Sequence, residues 1–151
     1  MYYFSYGSNL CHRQMKNVRC NGCRYVKNTY LHDYDLSFCN PKSDNVYGYA
    51  NVQKKRGCKV PGAIWEITQK HEKMLDVYEE YPTSYIKNYF NLDGNKVMFY
   101  TMVKTCVFKK PSQRYVNVIK EGYKDCNLDL GYLEEKILNC NNESQYGIIR
   151  K

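Results

Sequence analysis

At 151 residues the chain fits one domain, and that length buries about two-thirds of the unfolded surface without needing disulfide or metal staples. Its 43% hydrophobic and 25% charged residues are ordinary for a globular protein, and 15% aromatic content excludes disorder. The balance of 23 Lys and Arg against 15 Asp and Glu gives a net charge of +8, but the basic residues are dispersed, with Lys54-Lys55-Arg56 and Lys109-Lys110 the densest runs. The charge therefore reads as a solvated basic surface, and no nucleic-acid partner is expected.

In chain order, Tyr2 to Tyr6 alternates aromatic and small residues as a strand does, and ends in Gly7-Ser8-Asn9. Asn9 is placed to cap a short helix over Leu10 to Lys16, its side-chain oxygen accepting from the first amides. Arg24 to Tyr30 and Tyr34 to Phe38 read as strands rich in Tyr, Val and Phe. Tyr47 to Val52 and Val60 to Ile67 read as two more, divided by a polar turn at Lys54 to Gly57. Thr68 caps a helix through Tyr78, with Met74, Leu75 and Tyr78 on its inward face. Pro82 ends it, because the residue before a proline is driven out of the α region.

Tyr85 to Leu92 and Lys96 to Lys104 alternate about Asp93-Gly94-Asn95, which predicts a β-hairpin. Pro111-Ser112 opens a helix over Gln113 to Gly122, and a last helix over Leu130 to Leu138 carries Leu130, Leu133 and Ile137 on one face. Strands dominate the first two-thirds and helices the rest. That order predicts an α+β domain over residues 1–151, with a largely antiparallel, barrelled sheet.

Two places carry chemistry. Along Tyr3-Phe4-Ser5-Tyr6-Gly7-Ser8-Asn9-Leu10 a strand runs into a glycine turn and a helix N-terminus. Such a corner aims several backbone N–H groups one way and, with the helix dipole, suits a carboxylate, phosphate or oxyanion. Gly7 lets the backbone approach a ligand with no Cβ in the way. By periodicity alone the segment is equally an ordinary tight βα turn.

The second place is Leu75-Asp76-Val77-Tyr78-Glu79-Glu80-Tyr81-Pro82. With Leu75 and Tyr78 inward, Glu79 sits at the inward boundary of the last turn and Glu80 rotates toward solvent. Carboxylates at a helix C-terminus oppose its dipole by ~0.3 to 1 kcal/mol each when exposed. One beside Tyr78, Tyr81 and Tyr85 is partly desolvated, which raises its pKa and suits it to base work near neutral pH. The plainer alternative is a solvated acidic helix end.

No run approaches the ~18 to 20 apolar residues of a membrane span, so no membrane partner is expected. Met1 to Gly7 has neither the basic start nor the apolar core of a signal peptide, which predicts a cytoplasmic protein whose eight cysteines are reduced. Cys11-His12 with Cys20 and Cys23 can be assembled into a zinc quartet or a redox pair, but neither the ribbon spacing nor a thioredoxin-like element order accompanies them. No metal or other cofactor is expected. His71 reads as solvent-facing, and nothing ties it to a thiol. The tyrosines Tyr2, Tyr3, Tyr6, Tyr25, Tyr30 and Tyr34 read as strand packing rather than as a base-stacking platform.

Five segments together resemble the γ-glutamylcyclotransferase (AIG2-like) family. Tyr3 to Leu10 resembles its opening YGSN strand and loop, and Pro61-Gly62-Ala63-Ile64-Trp65-Glu66-Ile67 its Gly-x-x-Trp strand. Leu75-Asp76-x-x-Glu79 with Tyr85 resembles the helix end that holds its catalytic glutamate. Tyr100-Thr101-Met102 is similar to a strand ending in a family tyrosine, and Pro111 to Tyr115 with Ile119 to Gly122 to its C-terminal helix. The resemblance covers most of the chain in order. One departure is Glu80, which stands where the family often has glycine.

The resemblance implies a small α+β fold around a mixed, mainly antiparallel β-barrel flanked by helices, with a pocket at one mouth. It implies a cyclotransferase that releases 5-oxoproline from a small-molecule γ-glutamyl substrate, in the field of glutathione metabolism. Glu79 becomes the base and acid. Tyr3, Phe4, Ser5, Tyr6, Gly7 and Ser8 lie along the binding loop, Tyr115 contacts substrate, and Asn9, Tyr85 and Tyr100 stand at the pocket. The YGSN form resembles the γ-glutamyl-amino-acid branch more than the glutathione-specific one. The reaction asks for no catalytic serine or cysteine, since the substrate's own α-amine attacks its γ-carbonyl. A monomer or homodimer is expected. The alternative function is a non-catalytic or repurposed member that binds a small acid or a protein partner.

Overall fold

The computed structural model describes residues 1–41, 46–103 and 105–146, the last six as backbone only. Five strands, β1 (Tyr2–Ser5), β2 (Arg24–Cys39), β3 (Tyr49–Glu66), β4 (Tyr85–Leu92) and β5 (Asn95–Met102), form one sheet in the order β2-β3-β1-β5-β4. The short central β1 is antiparallel to β3 and parallel to β5, so the sheet is mixed. Its Tyr3 and Phe4 are buried, and a Cβ on Gly62 would sit 2.3 Å from the Phe4 ring and 2.4 Å from the Ser5 carbonyl oxygen. Only glycine admits so close a crossing. Three residues on, Trp65 Nε1 donates to Ser5 Oγ at 2.9 Å, which fixes the register of β3 on β1. The Gly-x-x-Trp spacing of β3 thus has a physical cause.

The expected four strands between Arg24 and Ile67 are two long ones. The Lys54 to Gly57 stretch does not reverse the chain; it is a bulge within β3. His32 pairs with Lys59 and Tyr34 with Lys54, so Asp33 alone faces four residues. Asp33 (φ 63°) and Gly57 (φ 86°) are both left-handed, and the Gly57 amide donates to Asp33 Oδ1 at 3.0 Å. Such a bulge bends the ribbon sharply. Its far half curls over the β4–β5 end, where the Met102 amide donates to Asn51 Oδ1 (2.9 Å) and Tyr34 meets Phe99 edge-on. The sheet is therefore barrel-like but not closed, with β2 and β4 as its edges.

The helix expected over Leu10 to Lys16 is replaced by a 3₁₀ turn (Ser8–Leu10), α1 (His12–Gln14) and a π turn (Met15–Arg19). Asn9 caps nothing. It lies inside the 3₁₀ turn, and its Nδ2 donates to the Tyr3 hydroxyl at 3.1 Å. The helix α2 (Gln69–Tyr78) starts as expected at Thr68, whose side chain accepts from the His71 amide while His71 Nδ1 accepts from the Thr68 amide. His71 is therefore buried, not solvent-facing, and its Nε2 bears the proton it donates to the Asn21 carbonyl at 2.7 Å. On the same helix Leu75 is buried, whereas Met74 and Tyr78 are about 40% exposed. The inward face is narrower than the spacing implied.

The hairpin forms about Asp93 and Gly94, both left-handed, as a two-residue turn with left-handed residues requires. The expected end of its second strand at Lys104 lies outside the described residues. The helix α3 (Gln113–Asp125) is capped by Ser112 and runs three residues past Gly122; α4 (Leu130–Tyr146) outlasts its expected end at Leu138. Cys39 and Cys106 are joined by a disulfide, contrary to the expectation of eight reduced thiols. An antiparallel bridge between Cys39 and Phe108 brings the two cysteines, 67 apart in sequence, together, a proximity with no local signature. The supposed zinc quartet is separately engaged. Cys11 donates to Glu121, Cys20 to the His71 carbonyl and Cys23 to the Met15 carbonyl, and the His12 ring packs on Tyr25 and Trp65.

Two substitutions test this packing. A Cβ on Gly122 would lie 2.5 Å from Leu10 Cβ and 2.6 Å from the Cys11 nitrogen. Alanine gains about 1 kcal/mol of helix propensity there, but the clash with backbone costs about 1 to 3 kcal/mol. Gly122→Ala is expected to lower stability in urea unfolding. Glu80, at φ 52°, sits in the left-handed position just past α2, where glycine is favoured. Glu80→Gly is expected to raise stability by about 0.5 to 1 kcal/mol in the same measurement.

Candidate active site

At one end of the sheet a cavity of about 250 Å³ is lined by Tyr3, Tyr6, Gly7, Ser8 and Asn9 from β1 and the turn after it, and by Tyr78, Glu79 and Glu80 from the end of α2. Tyr49 and Ala50 of β3, Tyr85 of β4, Tyr100 of β5, Tyr115 of α3 and Pro41 complete it. Nine of the expected residues therefore converge: Glu79, Tyr3, Tyr6, Gly7, Ser8, Asn9, Tyr85, Tyr100 and Tyr115. Two do not. Phe4 is buried against the Phe90 ring on the other side of the strand, and the Ser5 hydroxyl is taken by Trp65. Successive side chains of a strand alternate between its faces, so Phe4 points away from Tyr3, and the Ser5 hydroxyl is bonded to Trp65 instead.

The tyrosine hydroxyls divide by what they do with their protons. Tyr6 donates to the Tyr100 carbonyl (2.6 Å), Tyr85 to the Ala50 carbonyl (3.1 Å) and Tyr100 to Asp76 Oδ1 (2.7 Å). Tyr3 and Tyr115 instead accept, from Asn9 Nδ2 and from the Ala50 amide at 3.0 Å. Those two keep a proton for a ligand. The Ser8 and Tyr78 hydroxyls bond each other at 3.2 Å. Asn9 Oδ1 is buried with no partner among the described residues, an acceptor held in place by the bond its own amide nitrogen makes to Tyr3.

Gly7 closes the cavity from below. A Cβ there would stand 3.1 Å from Ala50 Cβ and 3.4 Å from the Tyr115 hydroxyl oxygen. In the following turn the Leu10 and Cys11 amides bond back to the Gly7 and Ser8 carbonyls, which leaves the first amides of the turn without partners inside it. Three residues carry a negligible helix dipole. Any hold on an anion comes from these N–H groups themselves.

Glu79 is the C-cap of α2 and half-buried; its amide bonds to the Leu75 carbonyl at 2.8 Å. Among the described residues its carboxylate makes no hydrogen bond. Burial pushes its pKa up to about 7, opposed only in part by Arg19, whose guanidinium lies 3.4 Å from the centre of the Tyr78 ring. Burial, and next the Glu79 charge, raise Tyr3 and Tyr6 well above the ordinary phenol value; burial, then Tyr6 and Glu79, do the same to Tyr85. Burial with the bond to Asp76 raises Tyr100, and burial with neighbouring Tyr78 raises Tyr115. These phenols stay neutral. Glu79, by contrast, changes protonation near neutral pH.

Sequence reasoning missed Pro41, Tyr49, Ala50, Asp76 and Arg19. Ala50 and Tyr49 had a strand but no visible direction, and Arg19 carries no motif. Asp76 stood in the quoted Leu75-Asp76-x-x-Glu79 segment, three residues before Glu79, which is one helical turn.

A family model described as "Gamma-glutamyl cyclotransferase, AIG2-like" matches residues 3–123. Among solved structures the chain is similar to "uncharacterized protein loc79017" from Homo sapiens, with 25% identity and TM-score 0.74 over 89% of this chain and 85% of that one. It is similar in fold to a structure named "Gamma-glutamyl cyclotransferase", with 24% identity and TM-score 0.76 over 90% and 85% of the two chains. It is also similar in fold to YkqA from Bacillus subtilis, with 18% identity and TM-score 0.76 over 93% of this chain and 54% of that one. No curated protein sequence matches the chain. The family match runs from β1 nearly to the end of α3 and takes in every residue of the cavity, so the chain belongs to the gamma-glutamyl cyclotransferase, AIG2-like family.

Proposed function

We propose that the protein is an enzyme that cyclises a small γ-glutamyl amide to 5-oxoproline and releases the free amine, with Glu79 moving the proton. The observation that carries this reading is a half-buried carboxylate of pKa about 7, unencumbered by hydrogen bonds to described residues, on the wall of a cavity rich in tyrosine hydroxyls.

The substrate brings its own nucleophile. Its α-amine attacks the γ-carbonyl carbon, a C–N bond closes the five-membered lactam, and the amide bond to the leaving nitrogen breaks. Holding the chain folded for this attack is worth roughly 7 to 11 kcal/mol in effective concentration. The amine, whose ordinary pKa is roughly 8, must first lose a proton. To a carboxylate at its ordinary ~4.3 that transfer costs about 5 kcal/mol; to Glu79 at about 7 it costs about 1 kcal/mol. Glu79 then returns the proton to the leaving nitrogen.

In this reading the turn amides at Gly7 and Ser8 take the substrate's α-carboxylate, and the buried Asn9 Oδ1 accepts from its amine. The spare protons of Tyr3 and Tyr115 serve the γ-carbonyl or the carboxylate. Tyr6, Tyr85 and Tyr100 commit their hydroxyls to protein acceptors and act as walls. The residues of the cavity need no metal or cofactor for this scheme.

Incubation with γ-glutamyl-alanine, ε-(γ-glutamyl)-lysine and glutathione, assayed for 5-oxoproline, tests the reading. Wild-type protein is expected to turn over at least one, and Glu79→Gln to lose roughly 10² to 10⁴ in kcat while keeping its fold. Full activity of Glu79→Gln overturns the mechanism, and binding without product for all three returns the protein to the non-catalytic alternative. The acid limb of kcat/KM is expected to rise through pH about 7 as Glu79 ionises.

Stability tests the same group without substrate. Its folded pKa lies above its unfolded value of ~4.3, so the folded state holds the proton more tightly, and that contribution is lost as pH rises from ~4.3 through about 7. Glu79→Gln is therefore expected to match wild type near pH 4 and to exceed it at pH 8, by on the order of 3 kcal/mol at most, in urea titrations at the two pH values.

A further inference from the structure

We propose that Lys87 is a positioning residue for Glu79: its ammonium grips the end of α2 and the turn beyond it, and so holds the Glu79 carboxylate against the cavity. The inference rests on the reading of Glu79 as the proton carrier.

Lys87 stands on β4, two residues past the cavity residue Tyr85, yet its side chain is only 13% exposed. Nζ donates to Glu72 Oε2 at 2.9 Å and to Asp76 Oδ2 at 3.0 Å, both on α2, and lies 4.2 Å from the centre of the Tyr81 ring. Asp76 precedes Glu79 by three residues and Tyr81 follows it by two. The single ammonium therefore touches the chain on both sides of Glu79. The backbone closes the same loop, since the Tyr81 amide bonds to the Asp76 carbonyl at 2.9 Å. Asp76 is held a second time, by the Tyr100 hydroxyl on Oδ1.

A mostly buried lysine needs such partners. Burial works against its charge, but the bonds to Glu72 and Asp76 outweigh it and leave its pKa above the ordinary value. Without the ammonium, Glu72 and Asp76 would face each other as like charges one helical turn apart, and the ion pairs that draw α2 onto β4 would be lost. Glu80 shows why the turn needs external support: it is a non-glycine residue in the left-handed position immediately after Glu79. Of the groups around the Glu79 carboxylate, Tyr100 is tied to the clamp through Asp76, while Arg19, Tyr3, Tyr6, Tyr78, Tyr85 and Tyr115 are held by other partners, so loss of the ammonium is read through the position of Glu79.

The test uses three variants: Lys87→Met, Lys87→Arg as the conservative rescue, and the pair Glu72→Gln/Lys87→Met, which removes one charge of each sign. The first readout needs no substrate. The Glu79 carboxyl titration, followed by ¹³C NMR of Glu-labelled protein and assigned with Glu79→Gln, is expected to fall toward the ordinary carboxylate range in the charge-balanced pair, as the carboxylate swings into water. It is expected to stay near neutrality in Lys87→Arg. The second readout is turnover on whichever γ-glutamyl compound the wild type cleaves. Lys87→Met is expected to lose roughly 10- to 100-fold in kcat with KM within about threefold, and to cost nothing further when added to Glu79→Gln. An unchanged or raised Glu79 titration in the balanced pair overturns the proposal, as does a further drop of Lys87→Met in the Glu79→Gln background. Should the wild type turn over none of the compounds, the enzyme reading fails, while the titration still decides whether Lys87 places Glu79.

Discussion

Ala50 is the residue through which the walls of the cavity are joined. Its amide donates to the Tyr115 hydroxyl of α3, its carbonyl accepts from the Tyr85 hydroxyl of β4, and its methyl group faces the glycine that follows β1. Three elements far apart in sequence thus meet at one residue of β3. That contact exists only because the β2–β3 ribbon bends at the Asp33 and Gly57 bulge. A straight ribbon would carry Ala50 away from the sheet and leave the cavity open on one side.

Closure sets the chemistry. A glutamate on a free helix end is an ordinary surface acid. The same residue enclosed by tyrosines loses water from its charged form, and its pKa rises toward that of an amine. Tyr3, Tyr6, Tyr85, Tyr100 and Tyr115 do this without becoming charged themselves, because desolvation raises each of them and each has a hydrogen-bond partner. Glu79 is thereby shifted toward neutral pH while the packing around it remains polar.

The end of α2 answers two demands in one turn. Glu79 must face the cavity, and the chain must leave the helix directly afterward. The left-handed Glu80, the Asp76 carbonyl and the Lys87 ammonium together fix that exit. On the opposite wall, Ser8 meets the Tyr78 hydroxyl, with Arg19 stacked over the same ring. The turn after β1 and the end of α2 are thereby joined by side chains as well as by the sheet.

The amino-acid sequence by itself determined the local elements whose causes are local. Thr68 and Ser112 cap their helices, Asp93-Gly94 turns the hairpin, and the order of strands and helices indicates an α+β domain. It also marked Gly7 and Glu79 as candidate chemistry, because the strand-to-turn corner and the helix end are short contiguous segments, whereas Tyr100 and Tyr115 entered only through the resemblance to the family. Tertiary structure decided what depends on contacts between distant residues. It merged four expected strands into two by a bulge that looked like a turn, kept Phe4 and Ser5 out of the cavity lining, and put Asn9 on Tyr3 instead of on a helix end. It also buried His71, joined Cys39 to Cys106, and brought Ala50 and Lys87 to the site. The reason is the same throughout: hydrogen bonds and burial are settled by which groups meet in space, and periodicity along the chain reports only which face of an element turns inward.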